Sequence, residues 1–401
     1  MLPDMKANVI HGDFNPCGGA ERLSLITMQA LLEIGIDFDL TTLKSPRISK
    51  LQNTYGKNLV SVMEKINKIN VINIMEELRQ QQQQEDHEDY NYDITINTNG
   101  DAAPYYHTSF SKDNAITYCH FPSTKYHIES ENIEYLKTDL GMTNQEVSKL
   151  QFSRRKECFD ILKYGYWNLM RNSTVITNSE FSRRAIVNAF GMNNIYILSP
   201  PIDIETFRNV ASMSNGDDER NDIVLVISRI TPHKKIENAI KLAKILKDNK
   251  IGKGMKIVGN LYDYFFDYYS ELKHMVLDLG LTDYITFEIN ASLAKLLYII
   301  GESRVYFHPM VGDHFGMAVV EAMAAGLIPV VPNEGGPTEF VPREYQFNTI
   351  EQAAEIITYV FNCLPKTERI KINDNINKFS NSHYINGFQT ILNELLSRRG
   401  K

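Results

Sequence analysis

Short apolar runs of strand length alternate with amphipathic runs of helix length, and the alternation occurs twice along the chain. Ala7-Asn8-Val9-Ile10 reads as a buried strand. The stretch 20–34 then carries Leu23, Ile26, Thr27, Ala30, Leu31 and Ile34 at helical spacing and stops at Gly35. Residues 39–43, 69–74, 94–96, 115–119, 175–177 and 196–198 are further strand candidates, with a helix over 180–190 closed by Gly191. Strands separated by helices pair in parallel, so this half predicts a parallel sheet covered by helices.

The pattern then breaks. Ser199-Pro200-Pro201 precedes a polar run over 212–221, the composition of an inter-domain linker. A second series follows. Strands are expected at 223–227, 256–258, 284–287, 304–307 and 328–331. Helices are expected at 235–246, with Ile236, Ala239, Ile240 and Ala243 on one face, and at 270–279 before Gly280. The expectation is an α/β protein of two Rossmann-like domains, 1–199 and 223–376, joined by a linker at 200–222 and followed by a tail at 377–401. Ligands of such sheets bind beyond the carboxyl ends of the strands, so the domains are expected to face a central cleft.

Composition excludes several classes. The 401 residues hold 42 Lys+Arg against 49 Asp+Glu, a net charge of −7, which argues against a protein built to grip nucleic acid. No apolar run reaches about 18 residues. The longest candidate, 318–331, is interrupted by Glu321 and Pro329. The start, Met1-Leu2-Pro3-Asp4-Met5-Lys6, has no apolar core, so no signal peptide is expected. Cys17, Cys119, Cys158 and Cys363 are too scattered for a disulfide framework or a zinc ribbon. A cytoplasmic location is therefore expected, and docking on a membrane surface remains compatible with it. Gln80 to Gln84, followed by an acidic run over 85–89, is expected to be an exposed excursion.

Three loops carry candidate chemistry. Gly18-Gly19 follows the first strand and opens a helix, where backbone can approach an anion. The G-x-G-x-x-G and P-loop patterns are both absent, and a plain tight turn accounts for the glycines equally well. Arg229, His233, Lys234 and Lys235 sit between a strand end and a helix start, where positive charge is disfavoured unless an anion binds. The third loop, 313–326, places Gly316 and Met317 at a helix start and Glu321 within a run of Ala, Val and Met, where a carboxylate needs a polar partner.

That third stretch resembles the signature of retaining glycosyltransferases of the GT-B architecture, the Glu-x7-Glu (family 4) type that includes sucrose synthases and many mannosyltransferases. The family pattern E-x-F-G-x-x-x-x-E-A-M-A-x-G-x-P-V is matched at Phe315, Gly316, Glu321, Ala322, Met323, Ala324, Gly326, Pro329 and Val330, with Asp313 in place of the first Glu. Gly335-Gly336-Pro337-Thr338-Glu339 is similar to its G-G-P-x-E loop, and Ser228-Arg229 with Lys234 to its G-R-x-x-x-x-K loop. Thr177-Asn178-Ser179-Glu180-Phe181 is similar to its x-N-S-x-F segment. Tyr118-Cys119-His120-Phe121-Pro122 resembles the Y-x-H-Y-P loop of mannosyltransferases that elongate lipid-linked oligosaccharides.

The resemblance implies transfer of a sugar from a nucleotide diphosphate to an acceptor hydroxyl with retention. The favoured reading is mannose from GDP-mannose to a glycan or lipid-linked glycan. It implies that Arg229 and Lys234 meet the leaving diphosphate with the amides of Gly316 and Met317, in place of a metal. No metal or other cofactor is therefore expected. Gly18, Gly19 and Phe315 belong to the implied donor site. Glu321 would bond ribose hydroxyls, Asp313 the transferred sugar, Gly335 and Gly336 would line the sugar pocket, and His120 would stand near sugar and acceptor. The last helix, within which 388–396 is apolar on one face, is implied to cross back to the first domain. Cations and aromatics mixed over 152–170 suit peripheral contact with an anionic membrane, and equally a buried amphipathic helix. The alternatives are a UDP-sugar-dependent transferase with a soluble acceptor, a non-catalytic GT-B scaffold subunit, and a sugar-nucleotide epimerase.

Overall fold

The computed structural model describes residues 5–72, 92–100, 114–138, 140, 142–150, 152–213, 220–363 and 376–398. The glutamine patch and its acidic continuation fall outside them, as do 214–219 of the polar run. The chain forms two compact units, Met1–Pro201 with Ser382–Lys401, and Ile202–Asn381.

In the first unit, β1 (Lys6–Ile10), β2 (Asp37–Thr42), β3 (Ile69–Val71), β4 (Ile94–Asn97), β5 (Ala115–Tyr118), β6 (Thr174–Thr177) and β7 (Ile195–Ile197) make one sheet. Their order is β3-β2-β1-β4-β5-β6-β7 with every pair parallel. Successive residues serve opposite faces, as the pleat requires. Ile116 and Ile176 join a core with Leu23, Ile26 and Leu31, whereas their neighbours Ala115 and Val175 join one with Phe159, Leu162 and Tyr166. A strand covered on both faces must be apolar throughout, which explains the continuous runs. The helix Asn381–Arg398 lies on helix Gly19–Glu33: Tyr384 Oη and Thr27 Oγ1 are 2.7 Å apart, and Gln389 donates to the Ala30 carbonyl at 3.0 Å.

In the second unit, β8 (Ile223–Ile227), β9 (Gly254–Gly259), β10 (Ile285–Ile289), β11 (Val305–Phe307), β12 (Ile328–Pro332) and β13 (Gln346–Phe347) form a second sheet. Its order is β10-β9-β8-β11-β12-β13, again all parallel.

Some expectations from composition need correcting. The presumed linker 200–222 is not free chain: Ile204–Met213 is a helix, and Ile204, Phe207 and Val210 are buried in the second core. Its apolar face outweighs its polar surroundings. The helix expected from 235 begins at Ile236, because Lys235 takes a left-handed conformation after a 3-10 turn at Pro232–Lys234. The helix expected over 270–279 is Phe266–Asp278, one turn earlier. β3 ends at Val71, short of the expected 74.

Candidate active site

Each sheet reverses its order once. In the second, β9 and β10 are laid on one side of β8 and β11 to β13 on the other, so the loops leaving β8 and β11 diverge from adjacent strand ends. A crevice opens at such a switch point. The loop after β8 holds Arg229, His233 and Lys234; the loop after β11 holds His308 and Asp313.

Here the cations meet the carboxylate. Lys234 Nζ donates to Asp313 Oδ2 at 2.9 Å and lies 3.4 Å from Met310 Sδ. His308 Nε2 is 3.3 Å from the same Asp313 oxygen, loose for a hydrogen bond. Burial opposes charge on Asp313, yet the Lys234 ammonium and His308 hold its carboxyl well below the usual carboxylate range. Asn238, on helix Ile236–Asp248, donates to the Pro309 carbonyl at 3.0 Å and ties the two loops together. Desolvation and the charges of Lys234 and Arg229 push the His233 imidazole down to about 4. The residue keeps exposed surface, and the two cations act on it directly. The loop thus presents concentrated positive potential suited to an anion.

The glycines earn their places by close approach. Gly316, at φ 85°, opens helix Met317–Ala324. Gly335, at φ 118°, bridges to Asp313, and Gly336 N donates to the Asp313 carbonyl at 2.8 Å. A Cβ on Gly336 would stand 2.2 Å from the His314 carbonyl oxygen. Phe315 is buried against Phe340 and Phe379, which fixes the loop from below. Glu321 is half-buried one turn into the helix, and both it and Asp313 bear electrostatically on the buried Tyr306 hydroxyl.

The first sheet has its own switch point, between β1 and β4. Gly18 caps helix Gly19–Glu33, its N–H donating to the Glu21 carboxylate, and Tyr55 Oη donates to the Gly18 carbonyl at 2.6 Å. His11 Nδ1 is 3.1 Å from Thr98 Oγ1, and His120 Nε2 is 3.3 Å from the Thr98 carbonyl. Asn178 donates to the His120 carbonyl at 2.9 Å, and Thr177 Oγ1 to that of Cys119 at 2.7 Å. The Thr177 to Phe181 segment therefore supports the His120 loop.

The second unit thus brings together Arg229, Lys234, Asp313, Phe315, Gly316, Met317, Glu321, Gly335 and Gly336, while Gly18, Gly19 and His120 belong to the first. Sequence reasoning passed over Tyr306, His308 and Met310 in the second unit and the His11–Thr98 pair in the first. The signal available was position: His308 and His11 each stand immediately after a strand, on the side where ligands bind. Among the described residues, no group of three or more His, Cys, Asp or Glu is placed to hold a metal ion, and no helix is long and apolar enough to cross a membrane.

Comparison with known proteins agrees with this geometry. Residues 208–375 match the family described as Glycosyl transferases group 1. A Dictyostelium discoideum protein named GDP-Man:Man(3)GlcNAc(2)-PP-Dol alpha-1,2-mannosyltransferase is 27% identical over 308 residues, 70% of this chain and 59% of that protein. A Mus musculus protein of the same name is 27% identical over 243 residues, 56% of this chain and 49% of its own length. The chain therefore spans about half to three-fifths of these relatives. The crystal structure of Anabaena Alr3699/HepE in complex with UDP is similar with a TM-score of 0.67 over 97% of this chain and 100% of that one, at 16% identity, a likeness of fold alone. With both sheets parallel and the cation and carboxylate loops at one switch point, residues 208–375 match the glycosyl transferases group 1 family, and the chain's two parallel-sheet Rossmann-like units have the fold of solved GT-B glycosyltransferases.

Proposed function

We propose that this protein is a retaining glycosyltransferase that moves mannose from GDP-mannose to a hydroxyl of a lipid-linked glycan without a metal. The observation that carries the reading is the meeting of Lys234 with Asp313 at the switch point of the group 1 domain, beside Arg229 and Glu321. The relatives' printed names supply the donor and the acceptor class.

In this reading the bond from the anomeric carbon to the diphosphate breaks, and a bond to the acceptor oxygen forms on the same face. The acceptor hydroxyl passes its proton to the departing diphosphate oxygen, and GDP leaves. Negative charge grows on the diphosphate, so fixed cations there lower the barrier most. Lys234 has three N–H donors; one is held by Asp313 and another lies toward Met310, leaving capacity for a phosphate oxygen. Arg229 can engage phosphate through its planar fork. Asp313 takes the sugar hydroxyls, Glu321 the ribose, and the Gly335–Gly336 turn closes the sugar pocket by its backbone. His120 serves the acceptor side.

Calorimetry with GDP, UDP, ADP and their sugar conjugates, followed by turnover of the tightest conjugate, tests the proposal. GDP and GDP-mannose are expected to bind best, and transfer is expected to persist in EDTA. Glu321→Gln should weaken GDP by about 1–3 kcal/mol. Preferred turnover of a UDP-sugar would replace the donor; turnover that needs added Mg²⁺ or Mn²⁺ would overturn the metal-free mechanism. Binding to none of the conjugates would favour the scaffold reading.

A lipid-linked acceptor would be met at a membrane surface. Helix Phe152–Arg171 exposes Arg154, Lys156, Lys163 and Tyr164. Each cation near an anionic surface contributes on the order of 1 kcal/mol, screened by salt. Sedimentation with anionic vesicles is expected at low salt and should fall as salt is added; a protein left wholly in the supernatant at low salt would remove the membrane arm.

A further inference from the structure

We infer that Tyr306 and His308 are positioning residues for sugar transfer, a buried relay that holds the Asp313 carboxylate in one orientation. The inference deepens the proposed function and rests on Asp313 meeting the transferred sugar.

Tyr306 is 0% exposed and His308 5%. Tyr306 ends within β11 and His308 follows two residues later, so both side chains leave the same side of the strand. Tyr306 Oη is 3.1 Å from His308 Nδ1 and 3.4 Å from the Ile227 carbonyl oxygen, and His308 Nε2 is 3.3 Å from Asp313 Oδ2. Of the two neutral imidazole tautomers, one turns a donor toward the carboxylate. If the phenol donated to Ile227, the imidazole proton would sit on Nδ1 and a lone pair on Nε2 would face the carboxylate. Donation from Tyr306 to Nδ1 instead places the proton on Nε2, directed at Asp313. Burial keeps the phenol protonated, its pKa raised well above 10, with the charges of Asp313 and Glu321 adding to the effect.

Asp313 is thereby approached from three directions: Lys234 from the β8 loop donates to Oδ2, the Phe315 N–H donates to Oδ1 at 3.3 Å, and the buried His308 Nε2, which has no hydrogen-bond partner of its own, faces Oδ2 at 3.3 Å, while Gly336 N donates to the Asp313 carbonyl. This matters because Asp has one methylene fewer than Glu, so its reach is set by where its backbone and neighbours place it. Lys234 must also meet the diphosphate in the proposed mechanism; His308 carries no such duty and is free to act on Asp313 alone.

The test compares wild type, His308→Ala, His308→Gln and Tyr306→Phe in steady-state transfer from GDP-mannose, with GDP and GDP-mannose affinities measured beside it. Loss of reactant alignment by about 1 Å costs up to about 10²-fold. His308→Ala is expected to lower kcat by about 10- to 100-fold with GDP affinity unchanged. His308→Gln, whose amide nitrogen reaches toward the Nε2 position, should recover most of the rate, and Tyr306→Phe should lose less than His308→Ala. Wild-type kcat in His308→Ala overturns the relay. So does failure of Gln to restore any activity in a variant that binds GDP normally. If wild type binds GDP-mannose but transfers to no acceptor, the function reading fails separately. The relay is then judged on how much tighter GDP-mannose binds than GDP. A His308→Ala variant that keeps that margin overturns the relay, and one that loses it supports the relay.

Discussion

Replacing Lys234 by alanine is expected to lower transfer by about 10²-fold or more, the scale set by one pre-organised donor to developing negative charge. The ammonium is held 2.9 Å from Asp313 on a loop tied to its neighbour by Asn238, so it is in place before charge develops. Lys234→Arg restores charge but not the compact geometry, and only partial recovery is expected. Steady-state rates at saturating donor check this; near-wild-type turnover in the alanine variant would defeat the diphosphate assignment. Stability changes too, because Asp313 loses its cation and is left with the Phe315 N–H and the nearby His308 imidazole. The sign with pH follows from the depressed Asp313 pKa. In the wild type the pair stabilises the fold fully above the ordinary carboxylate value near 4, and this contribution is lost as pH falls through the depressed folded value. Acid unfolding monitored with and without Lys234 should show the wild type's stability advantage over the alanine variant at neutral pH shrinking as pH falls.

Gly336→Ala is expected to destabilise the second unit by about 3 kcal/mol, the upper end for an overpacked site, and to abolish most transfer. Its Cβ would lie 2.2 Å from the His314 carbonyl oxygen and 2.8 Å from Phe315 Cα, both backbone atoms that cannot swing aside. Relief requires the 313–316 loop to move, which displaces Asp313 and the helix start at Met317. Gly280→Ala is the control. Its φ is also positive, at 65°, but nothing lies within 4 Å of the new Cβ, so only backbone strain of about 1 kcal/mol is expected. Chemical denaturation of both variants, with GDP binding, makes the comparison. Equal stability of the two alanine variants would show that the Gly336 contact yields without cost.

The wild-type sequence displays the elements and the loops plainly because their causes are local. Continuous apolar runs mark strands covered on both faces, and Gly35, Gly191 and Gly280 mark helix ends. The Phe315-Gly316 and Gly335-Gly336 pairs stand out because close backbone approach tolerates few other residues. Those signals depend on a residue and its near neighbours in the chain, and they were enough to place Arg229, Lys234 and Asp313 on loops at strand ends and Glu321 in the helix that follows. The helix over 204–213 was less legible, since prolines before it and a polar run after it masked three apolar residues that pack into the second core.

Tertiary structure decided the rest, because it depends on distances between residues far apart in the chain. Lys234 and Asp313 are 79 residues apart and meet only because β11 is laid beside β8. Tyr384 reaches Thr27 across 357 residues, which groups the last helix with the first unit. His308 looked like one more polar residue at the end of an apolar strand; Tyr306 and Asp313 are its near neighbours in the chain, but only the folded path of the loop after β11 turns the Asp313 carboxylate back to within 3.3 Å of its ring. A sequence written in residues determines which groups are available and which segments are stiff, whereas the order of strands in the sheet determines which of those groups share a crevice.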